Sequence, residues 1–140
     1  MRVFRDSTNE TPRSLRIIIA DDDRDAVLTL MMILRDEGHE VRGVYNGSWV
    51  IPTIGQFDPD VVILDIALPQ MSGYEVAKAV VQSRAWRSRP LLIGISGQYK
   101  KHSDKLLADA VGFDHYLVKP CDPAVLIALL APLRLPRPEQ

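Results

Sequence analysis

Short apolar runs alternate along this chain with longer amphipathic stretches, and that alternation limits the folds open to it. Leu15–Ala20, Asp60–Leu64, Pro90–Ile95 and His115–Val118 are compact runs rich in β-branched and other apolar residues, with Glu40–Tyr45 as a weaker fifth. Between them, apolar residues recur at the spacing of a helix face. Val27, Leu30, Met31 and Leu34 precede Gly38, and Ala77, Val80 and Val81 lie in a stretch reaching to about Arg84. Leu106, Leu107, Ala110 and Val111 fall in Ser103–Val111 ahead of Gly112, and Val125, Leu126, Leu129 and Leu130 follow Asp122-Pro123. Asn46-Gly47 marks a turn, and Ser48–Gly55 predicts a short helix in spite of Pro52. Ser72 with Glu75 forms a capping-box pattern, and Asp122-Pro123 offers an aspartate cap with proline at the first helical position.

Runs that are apolar throughout, rather than alternating with polar residues, belong to strands buried on both faces. Strand–helix alternation then predicts an α/β fold with a parallel sheet covered on both sides. Right-handed crossovers leave few topologies, and at this length the expected one is a doubly wound, flavodoxin-like sheet of five strands in the order 2-1-3-4-5.

The 140 residues leave room for one domain, expected over 15–133, between a polar N-terminal tail (1–14) and a Pro-rich C-terminal tail (134–140). With 46% hydrophobic and 25% charged residues the composition is that of an ordinary globular chain. A net charge of -1, with no basic run longer than Lys100-Lys101-His102, argues against a nucleic-acid partner. The single cysteine, Cys121, cannot form an internal disulfide and fits a reducing compartment. The first fourteen residues lack the apolar core of a secretory signal, and no apolar run reaches the ~20 residues that span a bilayer. The expectation is a soluble, cytoplasmic protein with no membrane partner.

In a doubly wound sheet, ligands bind beyond the carboxyl ends of the strands. Asp21, Asp22 and Asp23 follow the first run, Asp65 closes the third, Ser96 the fourth and Lys119 the fifth. Carboxylates held close together repel one another unless a cation neutralises them, and hard oxygen ligands with open positions suit Mg2+. A lysine adds a fixed positive charge for phosphoryl oxygens, and a serine hydroxyl can donate to another. Phosphoryl transfer needs little beyond such positioning and neutralisation, so an aspartate nucleophile suffices. Taken singly, Asp23 reads as a helix cap, Ser96 beside Gly97 as a turn residue and Lys119 as a solvated charge. Their order along successive strand ends carries the functional reading.

These residues resemble the receiver domains of two-component response regulators, the CheY-like superfamily, over roughly Leu15 to Leu133. Ile17-Ile18-Ile19-Ala20-Asp21-Asp22-Asp23 is similar to the family's first strand and acidic pair. The segment from Val61 through Asp65, with Leu68-Pro69, Met71 and Gly73, resembles its phosphoacceptor strand and loop. Ile93-Gly94-Ile95-Ser96-Gly97 and Tyr116-Leu117-Val118-Lys119-Pro120 resemble its switch strand and its Lys-Pro signature. The resemblance implies that Asp65 is the phosphoacceptor. It implies that Asp22, Asp65 and the backbone carbonyl of Ala67 ligate Mg2+ directly, with Asp21 acting largely through water. Lys119 would pair with Asp65 and then with a phosphoryl oxygen, and Ser96 would bond the phosphoryl group and draw its loop inward. Tyr116 would turn from an outer to an inner rotamer, and Lys119-Pro120 would be a cis bond.

The partners so implied are a sensor histidine kinase or histidine phosphotransfer protein, and a downstream protein target reached near Tyr116 and Tyr99. The chain would act as a monomer or weak dimer, with only self-phosphorylation and autodephosphorylation for chemistry. Two alternatives stand beside this reading. A haloacid dehalogenase-type phosphatase would use the Asp-x-Asp spacing of Asp21-Asp22-Asp23, but after Lys119 only Asp122 and Glu139 remain for its later acidic pair. A receiver-like binding module would never be phosphorylated. Ala67 and Gln98 stand where relatives carry side chains that set phosphate lifetime. His39, His102 and His115 are expected at the surface, Trp49 and Trp86 in packing or partner contacts, and Cys121 as a small packed side chain.

Overall fold

The structure is a computed structural model and describes residues 12–83, 86, 88–97 and 108–136. Strands β1 (Arg16–Ala20), β2 (Glu40–Val44), β3 (Val61–Asp65), β4 (Leu91–Ser96) and β5 (His115–Val118) form one parallel sheet. Their order is β2-β1-β3-β4-β5, as the alternation predicts. The central strands β1, β3 and β4 bury nearly every side chain, which is why their sequences run apolar without interruption. The edge strands depart from that expectation. β2 alternates buried with more exposed residues, and no residue of β5 is fully buried, because each has a neighbour on one side only.

Helices α1 (Arg24–Asp36), α2 (Val50–Phe57), α3 (Gly73–Gln82) and α5 (Pro123–Leu130) cover the sheet, with α4 described over 108–111 and 3-10 turns at Gly47–Trp49 and Ala131–Arg134. Alternate residues of each central strand serve opposite faces. Ile17, Ile19, Ile63 and Ile95 pack with Val27 and Leu34 of α1 and Leu126 and Leu130 of α5. Ile18, Val62, Leu64 and Leu92 pack with Val50, Ile54 and Phe57 of α2, Val76 and Val80 of α3, and Ala108 of α4.

The caps follow their chemistry. Asp23 accepts from the N–H groups of Asp25 and Ala26, Ser72 from that of Glu75, and Asp122 from that of Ala124, with Pro123 opening α5. Gly38 ends α1 at φ 97°, a conformation that costs glycine little. Pro52 sits in the first turn of α2, where its missing N–H would have had no helical partner, so the helix forms, shifted to Val50–Phe57.

Some expected placements change. Val81, expected inward, is 41% exposed, one residue off the buried stripe of Ala77 and Val80, and Val125 is 44% exposed beside buried Leu126. Ala108 is buried and Ala110 exposed, against the expectation for Ala110, while Val111 packs on the core as expected; 103–107 lie outside the described residues, as do Gln98, Tyr99 and His102. α3 stops at Gln82, and Trp86 donates from Nε1 to the Val80 carbonyl (2.9 Å) while packing on the core. Trp49 is 61% exposed. His115 is half-buried, and His39 is buried at 6% exposure, because the Gly38 turn carries its ring beneath β1, where Nδ1 accepts from the Leu15 N–H (3.1 Å). Cys121 is half-buried against the core shared by α1 and α5.

Candidate functional site

The parallel register brings the expected polar residues to one rim. Asp65 ends β3 opposite Ile95, Ser96 ends β4 opposite Val118, and Lys119 leaves β5 with its N–H bonded to the Ser96 carbonyl (2.7 Å). From β1, Asp21 donates its N–H to the Val44 carbonyl (3.0 Å), while its Oδ1 accepts from the Asp23 N–H (3.0 Å). Asp21, Asp22 and Asp65 offer carboxylate oxygens that all lie within 4.8 Å of one another. Asp21 and Asp65 are buried, at 8% and 5% exposure, and Asp22 is open to solvent. Lys119 Nζ reaches both buried acids, at 2.8 Å from Asp21 Oδ2 and 3.4 Å from Asp65 Oδ2, and so sits closer to Asp21. Ala67 is exposed, and its N–H donates to Asp65 Oδ1 (3.1 Å). A cavity of about 630 Å³ opens here, lined by Asp21, Asp65 and Lys119 together with Ile33, Cys121 and Leu126.

The charges follow from this geometry. Burial raises the pKa of Asp65, and the nearby Asp21 carboxylate adds to the rise against the pull of Ala67 and Lys119. Burial also works to raise Asp21, but the Lys119 hydrogen bond, the Asp23 N–H and the lysine's charge outweigh it and hold Asp21 low. Lys119 is held high, because its bonds to the acids overcome the effect of its own burial. Burial and Asp122 push the Cys121 thiol up, away from reactivity. Three carboxylates lie together with one ammonium, which pairs with Asp21 and Asp65 and leaves an excess of negative charge on hard oxygen donors with open positions. That donor set fits Mg2+.

The loop beyond Asp65 is tightly built. Its Met71 N–H donates to the Pro69 carbonyl (2.8 Å), which puts Gln70 at φ 74° in the left-handed region. Gly47 donates to the same carbonyl (2.9 Å), and a Cβ on it would lie 1.7 Å from the Met71 carbonyl oxygen, so only glycine allows the approach. Ser96 is buried at 3% exposure, and the Lys119-Pro120 bond is cis. Tyr116 stands apart from the carboxylates, half-buried on the α3 side of β5, with its hydroxyl 3.2 Å from that of Tyr74. Tyr74 was not legible as a site neighbour, since 42 residues separate it from Tyr116 and tyrosine at a helix start carries no signal. Gly73, which the resemblance placed in the phosphoacceptor loop, opens α3 right after it.

A doubly wound sheet with acids, a hydroxyl and a lysine at its carboxyl rim defines a phosphate-handling domain of the flavodoxin-like class. Residues 17–131 match the response regulator receiver domain family. The chain is 30% identical over 121 residues to an uncharacterized 14.6 kDa protein of Leptolyngbya boryana, covering 86% of this chain and 91% of that one. It is 31% identical over 113 residues to the DNA-binding response regulator MtrA of Mycolicibacterium smegmatis, covering 81% of this chain but only 47% of that protein. The crystal structure of a CheY-like receiver domain protein from Methanospirillum hungatei superposes with a TM-score of 0.75 at 26% identity, covering 84% of this chain and 90% of that one. The chain belongs to the response regulator receiver domain family. It is a phospho-accepting signalling domain of the two-component type, a family phosphorylated by histidine kinases and generally binding Mg2+ at an acidic pocket. Among the described residues, no helix is long and apolar enough to cross a membrane.

Proposed function

We propose that Asp65 takes the phosphoryl group from a phosphohistidine of a sensor histidine kinase or histidine phosphotransfer protein, with Mg2+ as cofactor. One observation carries the reading: a strand-end carboxylate only 5% exposed has two more carboxylates and an ammonium gathered around it from other strand ends. An oxygen of Asp65 forms the new P–O bond as the donor's P–N bond breaks, and the electron pair leaves with the imidazole, which takes up a proton. Lys119 Nζ, 3.4 Å from Asp65 Oδ2, needs little movement to follow the charge onto a phosphoryl oxygen. The Ser96 hydroxyl donates to another oxygen and draws its loop inward. Asp22, Asp65 and the Ala67 carbonyl would hold Mg2+ directly and Asp21 through water. The cation supplies neutralisation of charge that would otherwise build up between phosphoryl and carboxylate oxygens.

The new charge biases Ser96 and Tyr116 between two arrangements, and the altered surface meets a downstream protein or passes the phosphate on. We take 15–133 as the unit that performs this, flanked by tails at 1–14 and 134–140. It works in the cytoplasm as a monomer or weak dimer, with no turnover beyond its own phosphorylation and dephosphorylation. Incubation with phosphoramidate and Mg2+ should add one base-labile phosphoryl group by intact mass, and Asp65→Asn should abolish it. An adduct that persists in Asp65→Asn, or turnover of a phosphate ester without any adduct, would sink this reading.

A further inference from the structure

Tyr116 pairs across the sheet with Gly94 of β4. A Cβ on Gly94 would lie 2.9 Å from Phe113 Cε1 and 3.1 Å from Tyr116 Cδ1, so both rings occupy space that only a glycine leaves open. The ring of Tyr116 is therefore folded inward over β4, toward the centre of the sheet. Its hydroxyl ends 3.2 Å from the hydroxyl of Tyr74, in the first turn of α3. Phe113 fills the angle between them, with centroids 6.3 Å from Tyr74 and 6.1 Å from Tyr116, at interplanar angles of 74° and 59°.

Tyr74 is in turn tied to Asp65. Its neighbour Gly73 donates to the Ile66 carbonyl (2.9 Å), and a Cβ on Gly73 would lie 2.6 Å from the Asp65 carbonyl oxygen. The start of α3 thus rests directly on the backbone of Asp65. A path runs from Asp65 through Gly73 and Tyr74 to Tyr116, separate from the one through Ser96.

We propose that Tyr74 is a positioning residue whose hydroxyl latches Tyr116 inward before any phosphoryl group arrives. The proposal rests on the reading of Asp65 as acceptor and Tyr116 as switch. A latch present in the unphosphorylated chain shifts the pre-existing equilibrium toward the inward arrangement, so it both presets the surface beside β5 and speeds phosphorylation.

Tyr74→Phe keeps the ring against Phe113 and removes only the hydroxyl. In the unphosphorylated chain, nuclear Overhauser contacts between the Tyr116 ring and Gly94 should report an inward-to-outward ratio about three- to tenfold lower, the range one net hydrogen bond supports. The initial rate of adduct formation from phosphoramidate should fall as well, by less than that factor, because it follows the inward fraction and not the ratio. Tyr116→Phe removes the other hydroxyl and should give the same loss, and the double variant should be no worse than either single one. Unchanged contacts between the ring and Gly94 in Tyr74→Phe, or additive losses in the double variant, overturn the latch. If the contacts respond to Tyr74 while the wild-type chain takes up no phosphoryl group, the latch stands and the acceptor reading fails instead.

Discussion

The two ends of the sheet handle charge in opposite ways. At the amino ends Asp60 and Asp114 are each matched by a backbone N–H and an arginine. Asp60 accepts from the Arg16 N–H (2.9 Å) and faces Arg13 (3.7 Å), while its own N–H donates to the Arg16 carbonyl (2.8 Å). Asp114 accepts from the Leu92 N–H (2.8 Å) and from Arg89 (3.1 Å), and the Arg16 and Arg42 guanidiniums both lie over the Phe57 ring. Even the buried His39 has its acceptor nitrogen filled by Leu15. At the carboxyl ends, Asp21, Asp22 and Asp65 crowd together, and Lys119 pairs with Asp21 and Asp65 while Asp22 stands open to solvent. One rim pairs its partly buried acids with arginines, and the other is left wanting a cation and a phosphoryl group. The imbalance sits where chemistry is expected.

The sharpest way to break this contrast is at Lys119. Lys119→Ala removes the ammonium that pairs with Asp21 and Asp65 and should slow adduct formation by about 10- to 100-fold, the worth of one charge-assisted bond. Time-resolved intact mass with phosphoramidate would show it, and an unchanged rate would mean that the lysine is a bystander.

The amino end should respond in stability and not in chemistry. Asp60→Ala leaves the Arg16 N–H without its acceptor and removes the ion pair with Arg13, and should cost about 1–3 kcal/mol in urea unfolding, with phosphorylation intact. A loss of phosphorylation in the still-folded variant would show that the two rims are coupled.

A smaller effect of opposite sign is expected from Asp65→Asn. Because the folded pKa of Asp65 is raised, its ionisation opposes folding, and that penalty appears as pH rises through the raised value. At neutral pH without Mg2+ the variant should be more stable, by on the order of 1 kcal/mol, with Mg2+ raising the melting temperature of the wild type more than that of the variant. Equal response to Mg2+ would remove Asp65 from the cation site.

The smallest effect is a pH slope at the other rim. Burial, aided by the charge of Arg134 and opposed by Glu37 and Asp60, holds His39 below its usual value. Neutral His39 therefore adds stability that is present above the unfolded histidine pKa and lost as pH falls below it. His39→Asn should flatten the dependence of melting temperature on pH between about 7 and 5.5. A slope identical to wild type would place the titration elsewhere.

Much of this was legible in the residues. The uninterrupted runs Ile17-Ile18-Ile19-Ala20 and Val61-Val62-Ile63-Leu64 announced central strands, because only a strand covered on both faces needs apolar side chains in both directions. The caps Asp23, Ser72 and Asp122 were readable because capping is local, a side chain meeting an N–H two or three residues on. His39 was misread as a surface residue, because its acceptor role depends on Leu15, 24 residues away. Val81 was misassigned because one helical step of about 100° carries a side chain off the buried stripe, and apolar neighbours do not reveal the phase.

The sequence by itself determined the order of the elements, the parallel sheet and the convergence of Asp21, Asp65, Ser96 and Lys119 on one rim. Periodicity and strand-end position are properties of the chain's local pattern. Only the tertiary structure decided that Lys119 lies closer to Asp21 than to Asp65, that Gly94 and Gly73 open the space for Tyr116 and tie α3 to Asp65, and that Tyr74 meets Tyr116. Each of these is a contact between segments distant in sequence. Such contacts are set by how side-chain volumes fill the space between packed elements, and no local pattern encodes that.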